Sequence, residues 1–147
     1  MIWVVLLIVL GFVSRSGKPP GLSDGKLASC PKSPNCVCTE YESDEKAFVR
    51  PLQLSIDGHE VIDDAQSVTL EMGGKIVSRN QWYLAATFSS RLFGLVDDFE
   101  IRWVPESGLL HIRSASRTGH SDLGINGKRV QDFKNRYNAL LKTKLPN

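Results

Sequence analysis

Residues 96–116, VDDFEIRWVPESGLLHIRSAS, contain two alternating stretches on either side of a turn. In residues 96–104, Phe99, Ile101 and Trp103 alternate with Asp98, Glu100 and Arg102. Residues 109–116 also alternate, with mixed character on each side: Leu110, Ile112, Ser114 and Ser116 against Leu109, His111, Arg113 and Ala115. A period of two indicates strands, and the sequence Pro105-Glu106-Ser107-Gly108 between them is typical of a turn. The segment therefore predicts an antiparallel hairpin, because strands joined by a short turn pair in that way.

The residues before this hairpin predict further strands. Residues 81–89, QWYLAATFS, alternate with the same period, and residues 75–78 form a shorter candidate. Residues 46–55 are predicted to be an extended segment at a sheet edge, because Pro51 has no N–H group to donate within a sheet.

Two segments have the apolar spacing of helices. Residues 62–72 are predicted to form a helix that Asp63 caps and Gly73-Gly74 ends. A last helix is predicted to begin at the capping residue Asn126. Its apolar residues recur at helical spacing: Val130, Phe133, Tyr137, Leu140 and Leu141.

The order of these elements is a strand, a helix, three or four strands and a second helix. Short turns between successive strands favour antiparallel pairing. The order therefore predicts an α+β fold, with an antiparallel sheet of about four to five strands and two helices packed on one face. The other face is predicted to be partly in contact with water, because its residues are mixed in character.

The first 26 residues differ in composition from the rest. Ile2 to Val13 is a run of 12 residues without a charge, and a linker rich in Pro and Gly follows it. A membrane-spanning helix needs about 20 apolar residues, whereas a signal peptide needs a run of about 7–15. Residues 1–26 are therefore predicted to be a membrane or signal segment with its linker, and residues 27–147 to form one α+β domain. The orientation stays open, because Arg15 and Lys18 follow the apolar run and no basic residue precedes it.

Charge is unevenly distributed along the chain. Residues 40–106 contain thirteen acidic and six basic residues, whereas residues 111–147 contain eight basic and two acidic ones. The basic part is typical of the solvated face of a helix. Nucleic-acid binding is disfavoured, because the aromatic residues lie mostly on the apolar faces of the predicted strands.

The three cysteines, Cys30, Cys36 and Cys38, lie close together. Their spacing is compatible with a structural disulfide, with free thiols, and with metal binding or catalysis. A disulfide between Cys30 and Cys36 would close a small loop. A zinc site would need a fourth ligand from one of the three histidines, and none of these has a motif-like spacing to the cysteines. No metal site is therefore predicted.

An acidic segment, Asp97-Asp98-Phe99-Glu100, lies near the start of the first strand of the hairpin. Asp98 and Glu100 share one face of that strand, whereas Asp97 points to the other. A carboxylate pair can bind a cation or take part in acid–base chemistry. The structural alternative is a charged sheet edge, or carboxylates that pair with arginines.

A second polar segment, residues 113–126 with the sequence RSASRTGHSDLGIN, runs from a strand end into a helix start, where backbone N–H groups favour anions. Together with Arg129 it supplies the candidate ligands of an anionic group: Arg113, Ser114, Ser116, Arg117, His120, Asn126 and Arg129. The alternative is again structural, with arginines paired to acidic residues. The candidate acidic partners are Asp97, Asp98, Glu100 and Asp122.

The same segment contains residue types that are used in catalysis. Ser116, His120 and Asp122 are the types found in a triad, but closeness in sequence does not indicate triad geometry, and no Gly-x-Ser-x-Gly motif is present. Gly127-Lys128 lacks the spacing of a phosphate-binding loop. A hydrolase that uses Asp98, His120 and Asp122 is kept as an alternative, and no catalytic residue is assigned.

The chain resembles the family called "domain of unknown function 1499" in three segments: residues 30–37, residues 96–100, and residues 113–126 with Arg129 three residues further on. The resemblance extends from about residue 30 to the end of the sequence. It implies a bacterial or plastid protein, often behind a signal or membrane segment, and it implies no activity. The family motif usually has a serine-type residue where this chain has Cys38, and this favours Cys30 and Cys36 as the disulfide pair.

These features predict an uncharacterised accessory domain that is anchored in a membrane or exported, with the periplasmic side favoured. Its expected partners are the membrane, through the first segment, and an anionic small molecule or lipid head group. No cofactor and no nucleic acid are expected, and a non-enzymatic role is favoured over an enzymatic one. The alternatives are the hydrolase and a purely structural interaction module.

Overall fold

A computed structural model describes residues 1–55 and 60–144 of the chain. The predicted α+β architecture is confirmed. The helices of the described ranges are α1 (Ile2–Arg15), α2 (Val61–Glu71) and α3 (Ile125–Lys144). The strands of the same ranges are β1 (Leu22–Ser23), β2 (Lys26–Leu27), β3 (Cys36–Cys38), β4 (Leu52–Gln53), β5 (Lys75–Arg79), β6 (Tyr83–Ser89), β7 (Val96–Val104) and β8 (Leu109–Ser116).

Six of these strands form one antiparallel sheet in the order β3–β8–β7–β6–β5, with β4 pairing with the first residues of β8. The predicted hairpin is the centre of this sheet, because β7 and β8 are paired from Val104 opposite Leu109 to Asp97 opposite Ser116. The sequence did not predict β3, nor the two short strands β1 and β2 that precede it. The remaining strands, β1 and β2, pair only with each other.

The predicted edge segment, residues 46–55, is shorter in the structure. Only β4 pairs with β8 as a strand, and an isolated bridge joins Cys38 to Phe48. The residues before it turn back on themselves, since the N–H groups of Ala47 and Phe48 donate to the carbonyl oxygen of Asp44. These turn hydrogen bonds replace the pairing that a longer strand would make.

Both predicted helix caps were wrong. Because α2 begins at Val61, Asp63 lies within its first turn, where its carboxylate pairs with Arg79 at 2.6 Å. Because α3 begins at Ile125, Asn126 also lies inside its helix. The start of α3 is instead capped by the carboxylate of Asp122, which accepts the backbone N–H groups of Gly124 and Asn126 at 2.9 and 3.0 Å.

One face of the sheet is apolar and lies beneath α2 and α3, as predicted. The aromatic rings at its centre form a row of tilted pairs, with 5.4 Å between the ring centroids of Phe99 and Phe133 and 5.7 Å between those of Phe133 and Tyr137. These three side chains are fully buried. Full burial of a large apolar side chain stabilises the folded protein by about 1.5–3 kcal/mol.

The opposite face was predicted to be partly in contact with water, and this holds for Thr87, Arg102 and His111, which are partly exposed. Residues 14–30 cover the rest of its centre, with Leu27 fully buried against Cys38, Tyr83 and Ala85. Asp98 and Glu100 of β7 are therefore enclosed, and Glu100 has no exposed surface.

The first helix, α1, contacts the domain through one side near its C-terminal end. Gly11 and Ser14 are buried, and a Cβ atom at Gly11 would lie 2.0 Å from the carbonyl oxygen of Phe93. The Ser14 hydroxyl donates to the carbonyl oxygen of Val96 at 3.3 Å and accepts its N–H at 2.7 Å. In the part of the chain that the structure describes, no helix combines the length and the apolar character that crossing a membrane requires.

Candidate functional site

The cysteines of the N-terminal covering segment form one disulfide, between Cys30 and Cys36. Cys38 is a free thiol and is buried beneath the same segment. Burial raises the pKa of the Cys38 thiol. Since the thiolate is the reactive form, the structure does not present Cys38 as a nucleophile.

Arg117 links the end of β8 to β7 and to α1. Its guanidinium donates to both carboxylate oxygens of Asp98, at 2.7–3.0 Å. Its other terminal nitrogen, Nη1, donates to the carbonyl oxygens of Ser14 and Gly17, at 3.0 and 2.7 Å. The planar donor fork of arginine suits this arrangement, because it can bind a carboxylate with one side and backbone carbonyl groups with the other.

A second pair lies further along the same face, between Arg113 of β8 and Glu100 of β7. The pair is separated by 3.4 Å, and Arg113 also donates to the carbonyl oxygen of Ala28 at 2.9 Å. Glu100 accepts hydrogen bonds from the Tyr83 hydroxyl at 2.7 Å and from the N–H of Gly21 at 3.0 Å. Burial raises the pKa of Glu100, although the hydrogen bond from Tyr83 and the charge of Arg113 oppose that rise.

A third pair lies on the helix-covered face. Arg129 of α3 binds Asp97 at 2.8 Å, and its guanidinium carbon lies 4.6 Å from the ring centroid of Phe88. Arg129 also donates to the side-chain oxygen of Asn126 at 2.7 Å, which in turn accepts the Ser114 hydroxyl at 2.6 Å. Alternation along β7 thus directs Asp97 to α3 and its neighbour Asp98 to Arg117.

Asn126 is the centre of this helix-side group. Its amide nitrogen donates to the carbonyl oxygen of Asn35 at 3.1 Å, to Ser116 at 2.9 Å and to Asp122 at 2.7 Å. The residue is fully buried, so all of these polar groups need partners within the protein. Asn126 therefore fastens β3, β8 and the start of α3 to one another.

The proposed catalytic residues lie apart in the structure. Asp98 pairs with Arg117 on the N-terminally covered face, whereas Asp122 caps α3. His120 is exposed and makes no hydrogen bond among the described residues. Burial alone would raise the pKa of Asp122, but the hydrogen bonds donated by Asn126 and Gly124 hold it below its usual value.

The seven candidate anion ligands do not share one face of the sheet, since Arg113 and Arg117 lie on the N-terminally covered face and Arg129 lies beside α3, and their charges are already paired. Each of the three guanidiniums faces its own carboxylate, so an anionic ligand would have to displace an acidic side chain. A groove of about 680 Å³ lies between the disulfide loop, residues 43–47 and the start of α3. None of the seven candidate residues lines this groove.

The sequence missed several residues that complete these contacts. Glu40 binds Arg102 at 2.5–3.0 Å and accepts the N–H of Leu27 at 2.6 Å. Ser14 and Asn35 connect α1 and the disulfide loop to the sheet. These residues are distant in sequence from most of the groups they contact, so local patterns did not indicate them. Only Asn35 lies in a segment that resembles the family, residues 30–37.

A family model described as "Protein of unknown function (DUF1499)" matches residues 26–136. This range contains both pairs of the N-terminally covered face and the Arg129–Asp97 pair, but it leaves out α1. No curated protein matches the chain.

Proposed function

This chain belongs to that family, and we propose that its domain is a non-catalytic accessory module that α1 holds at a membrane surface. The proposal rests on one observation, that α1 packs against the domain with one side and exposes apolar residues on the other. Its contact side is built into the fold, whereas nine of its fourteen residues are exposed large hydrophobic residues. Large exposed apolar patches on a folded domain mark interaction sites, and a lipid phase is the partner that suits a helix without charges from Ile2 to Val13.

The attachment of α1 supports a positioning role. Gly11 permits a close approach to Phe93, and Ser14 makes two hydrogen bonds with Val96. Arg117 then holds the carbonyl oxygens at the end of the helix while it pairs with Asp98. A segment that served only as a removable leader would not need such contacts. These contacts therefore support α1 as a lasting part of the folded protein.

The paired arginines support an accessory rather than a catalytic role. The residues of the hydrolase alternative are engaged separately. Asp98 pairs with Arg117, Asp122 caps α3, and His120 is exposed without a hydrogen bond among the described residues. Anion binding by Arg113, Arg117 and Arg129 stays a prediction, which would require a ligand that competes with three carboxylates.

The proposal is tested by flotation of the purified full chain with phosphatidylcholine vesicles, after intact mass has shown that residues 1–13 are present. In the variant Val5→Asp/Val9→Asp, two charges are placed on the side of α1 that faces away from Gly11. The matched control Leu70→Asp/Val77→Asp places the same charges on exposed apolar residues of α2 and β5. We expect the wild type and the control to float and the α1 variant to stay in the dense fraction.

If the wild type does not float, or if the α1 variant floats as well as its control, α1 does not hold the domain at a membrane. Circular dichroism of each variant checks that the fold is kept, since the substituted side chains are exposed in the structure.

A further inference from the structure

The end of the sheet from which α1 emerges has a composition of its own. We call it the α1 end, and we define it by the loop of residues 90–95 between β6 and β7, residues 117–124 after β8, and the first turn of α3. The backbone joins these parts, because the N–H of Arg117 donates to the carbonyl oxygen of Val96 at 3.1 Å. The Arg15 side chain of α1 lies against Gly94 of the same loop.

Apolar side chains project from the α1 end into solvent. Leu92 is 82% exposed, Leu123 is 85% exposed and Ile125 is 50% exposed. Leu123 also has a positive φ of 54°, a conformation that a leucine rarely adopts. A strained backbone at a residue whose side chain is not buried points to a use outside the fold.

The exposed charges of the α1 end, Arg91 and Lys128, are basic. Arg15 and Lys18, at the C-terminal end of α1 and just after it, are exposed as well, and none of the four forms an ion pair within the described residues. The acidic residues of this end are engaged elsewhere: Asp97 and Asp98 bind arginines, and Asp122 caps α3.

Near the opposite end of the sheet Lys26 and Arg50 are exposed without an ion pair among the described residues, but two other cations are matched. Lys144 binds both Glu60 and Asp64, at 2.9 and 2.5 Å. Arg102 binds Glu40, and Glu106 is exposed in the turn between β7 and β8. The two ends therefore differ, because an exposed carboxylate, that of Glu106, lies at the opposite end, whereas the α1 end combines unpaired cations with the largely exposed side chains of Leu92 and Leu123.

We propose that the α1 end is a docking surface for a bilayer that contains anionic lipids, with Leu92 and Leu123 entering the interface and the basic residues contacting the head groups. This inference rests on the proposed function and adds the orientation of the domain and the lipid class. A helix of 14 residues extends about 21 Å, which is less than the roughly 30 Å of a hydrocarbon core. Interfacial binding grows with buried apolar area and with attraction to anionic lipids, so a second contact surface supplements α1.

The test compares vesicles of phosphatidylcholine alone with vesicles that also contain phosphatidylglycerol. The variant Arg91→Gln/Lys128→Gln removes two charges of the α1 end, and the matched control Lys26→Gln/Lys142→Gln removes two exposed charges elsewhere. Each basic residue near an anionic surface contributes about 1 kcal/mol, so we expect the first variant to bind the anionic vesicles roughly thirty-fold more weakly. The control should bind them like the wild type, and neither variant should differ from the wild type on neutral vesicles.

A second variant, Leu123→Asn, separates membrane contact from folding. Asparagine tolerates a positive φ better than leucine, so the melting temperature should stay the same or rise while vesicle binding becomes weaker. Retained binding of both variants to anionic vesicles would overturn this inference and leave the proposed function intact. So would a change in oligomeric state of Leu123→Asn in analytical ultracentrifugation, because it would assign the surface to a second copy of the chain. Failure of the wild type to float at all would instead reject the proposed function.

Discussion

The two faces of the central sheet are covered in different ways. Beneath α2 and α3 the centre is apolar and aromatic around Phe99, and polar contacts such as the Arg129–Asp97 pair lie toward the start of α3. Beneath residues 14–30 the main contacts are ion pairs and hydrogen bonds, with Glu100 buried and Asp98 almost so. Apolar burial is roughly proportional to area and has little directionality, whereas a buried carboxylate is satisfied only by donors in defined positions.

This difference shows what each cover contributes. The helix-covered face supplies most of the apolar burial, and a similar stability could be reached with other apolar residues of the same volume. The N-terminally covered face fixes position, because Gly21 and Ala28 must reach Glu100 and Arg113 for the buried charges to be satisfied. Buried ion pairs add little net stability over apolar packing, but the loss of one partner is costly. The predictions below test whether the two covers differ in this way.

The largest effect is expected for Phe99→Ala on the helix-covered face. This change removes the ring that packs against Phe88 and Phe133, and such losses cost about 3–5 kcal/mol. Urea unfolding at pH 7 and at pH 5 measures the free energy of unfolding. The loss should be the same at both values of pH, since no titrating group is removed, and a strongly pH-dependent loss would contradict the assignment of this face as an apolar core.

The next effect in size is expected for Arg113→Met on the other face. Loss of the Arg113 guanidinium leaves Glu100 buried without a cation, which lowers the free energy of unfolding by about 3 kcal/mol at pH 7. Burial already raises the pKa of Glu100, and the variant lacks a charge that opposes this rise. The folded variant therefore binds a proton more tightly than the unfolded chain, so its stability should increase as the pH falls from 7 toward about 4.5.

The double variant Arg113→Met/Glu100→Gln is the control for this prediction. Removing both charges should recover much of the lost stability and remove the pH dependence, which urea unfolding over the same pH range can show. A double variant as unstable as Arg113→Met at pH 7 would show that the charge of Glu100 is not the cause of the loss.

The difference between the two faces also decides what the sequence could predict. The alternation of residues 96–116 and 81–89 predicted the central strands, and the spacing of Val130, Phe133 and Tyr137 predicted the last helix, because these patterns are local. The helix-covered core follows directly from such patterns. The same alternation placed Asp97 and Asp98 on opposite faces, which the structure agrees with.

The contacts of the N-terminally covered face could not be predicted in the same way. Arg117 meets Ser14 and Gly17 across about a hundred residues, and no periodicity links them. The enclosure of Asp98 and Glu100 was not predicted either, because the mixed character of a strand face does not show which distant residues cover it. The cap of α3 was missed for a related reason, since both Asp122 and Asn126 are good capping residues and only the fold decides between them.

A smaller effect is expected for Arg117→Gln, which weakens the tie between α1 and the sheet. Hydrogen bonds to charged groups are worth about 1.5–3 kcal/mol, and we expect a loss of about 2 kcal/mol in the free energy of unfolding. Hydrogen exchange should become faster at the amides of residues 14–18 than at those of β7 and β8. The exposed Arg91→Gln is the matched control and should lose less than about 0.5 kcal/mol. If both variants unfold alike, the Asp98 pair does not hold the covering segment.

The smallest effect is expected for Asp122→Asn at the start of α3, where the two covers meet the loop of residues 117–124. The change weakens a cap that accepts the N–H groups of Gly124 and Asn126, and a cap of this kind is worth about 1 kcal/mol. Because the folded protein lowers the pKa of Asp122 below its unfolded value of 3.8, the stabilisation is complete above that value and is lost as the pH falls through the folded pKa. The difference between wild type and variant should therefore be largest at pH 7 and vanish in strong acid, as measured by thermal unfolding. The exposed Asp24→Asn removes the same charge away from α3, and an equal trend in that control would mean that overall charge, and not the cap, is responsible.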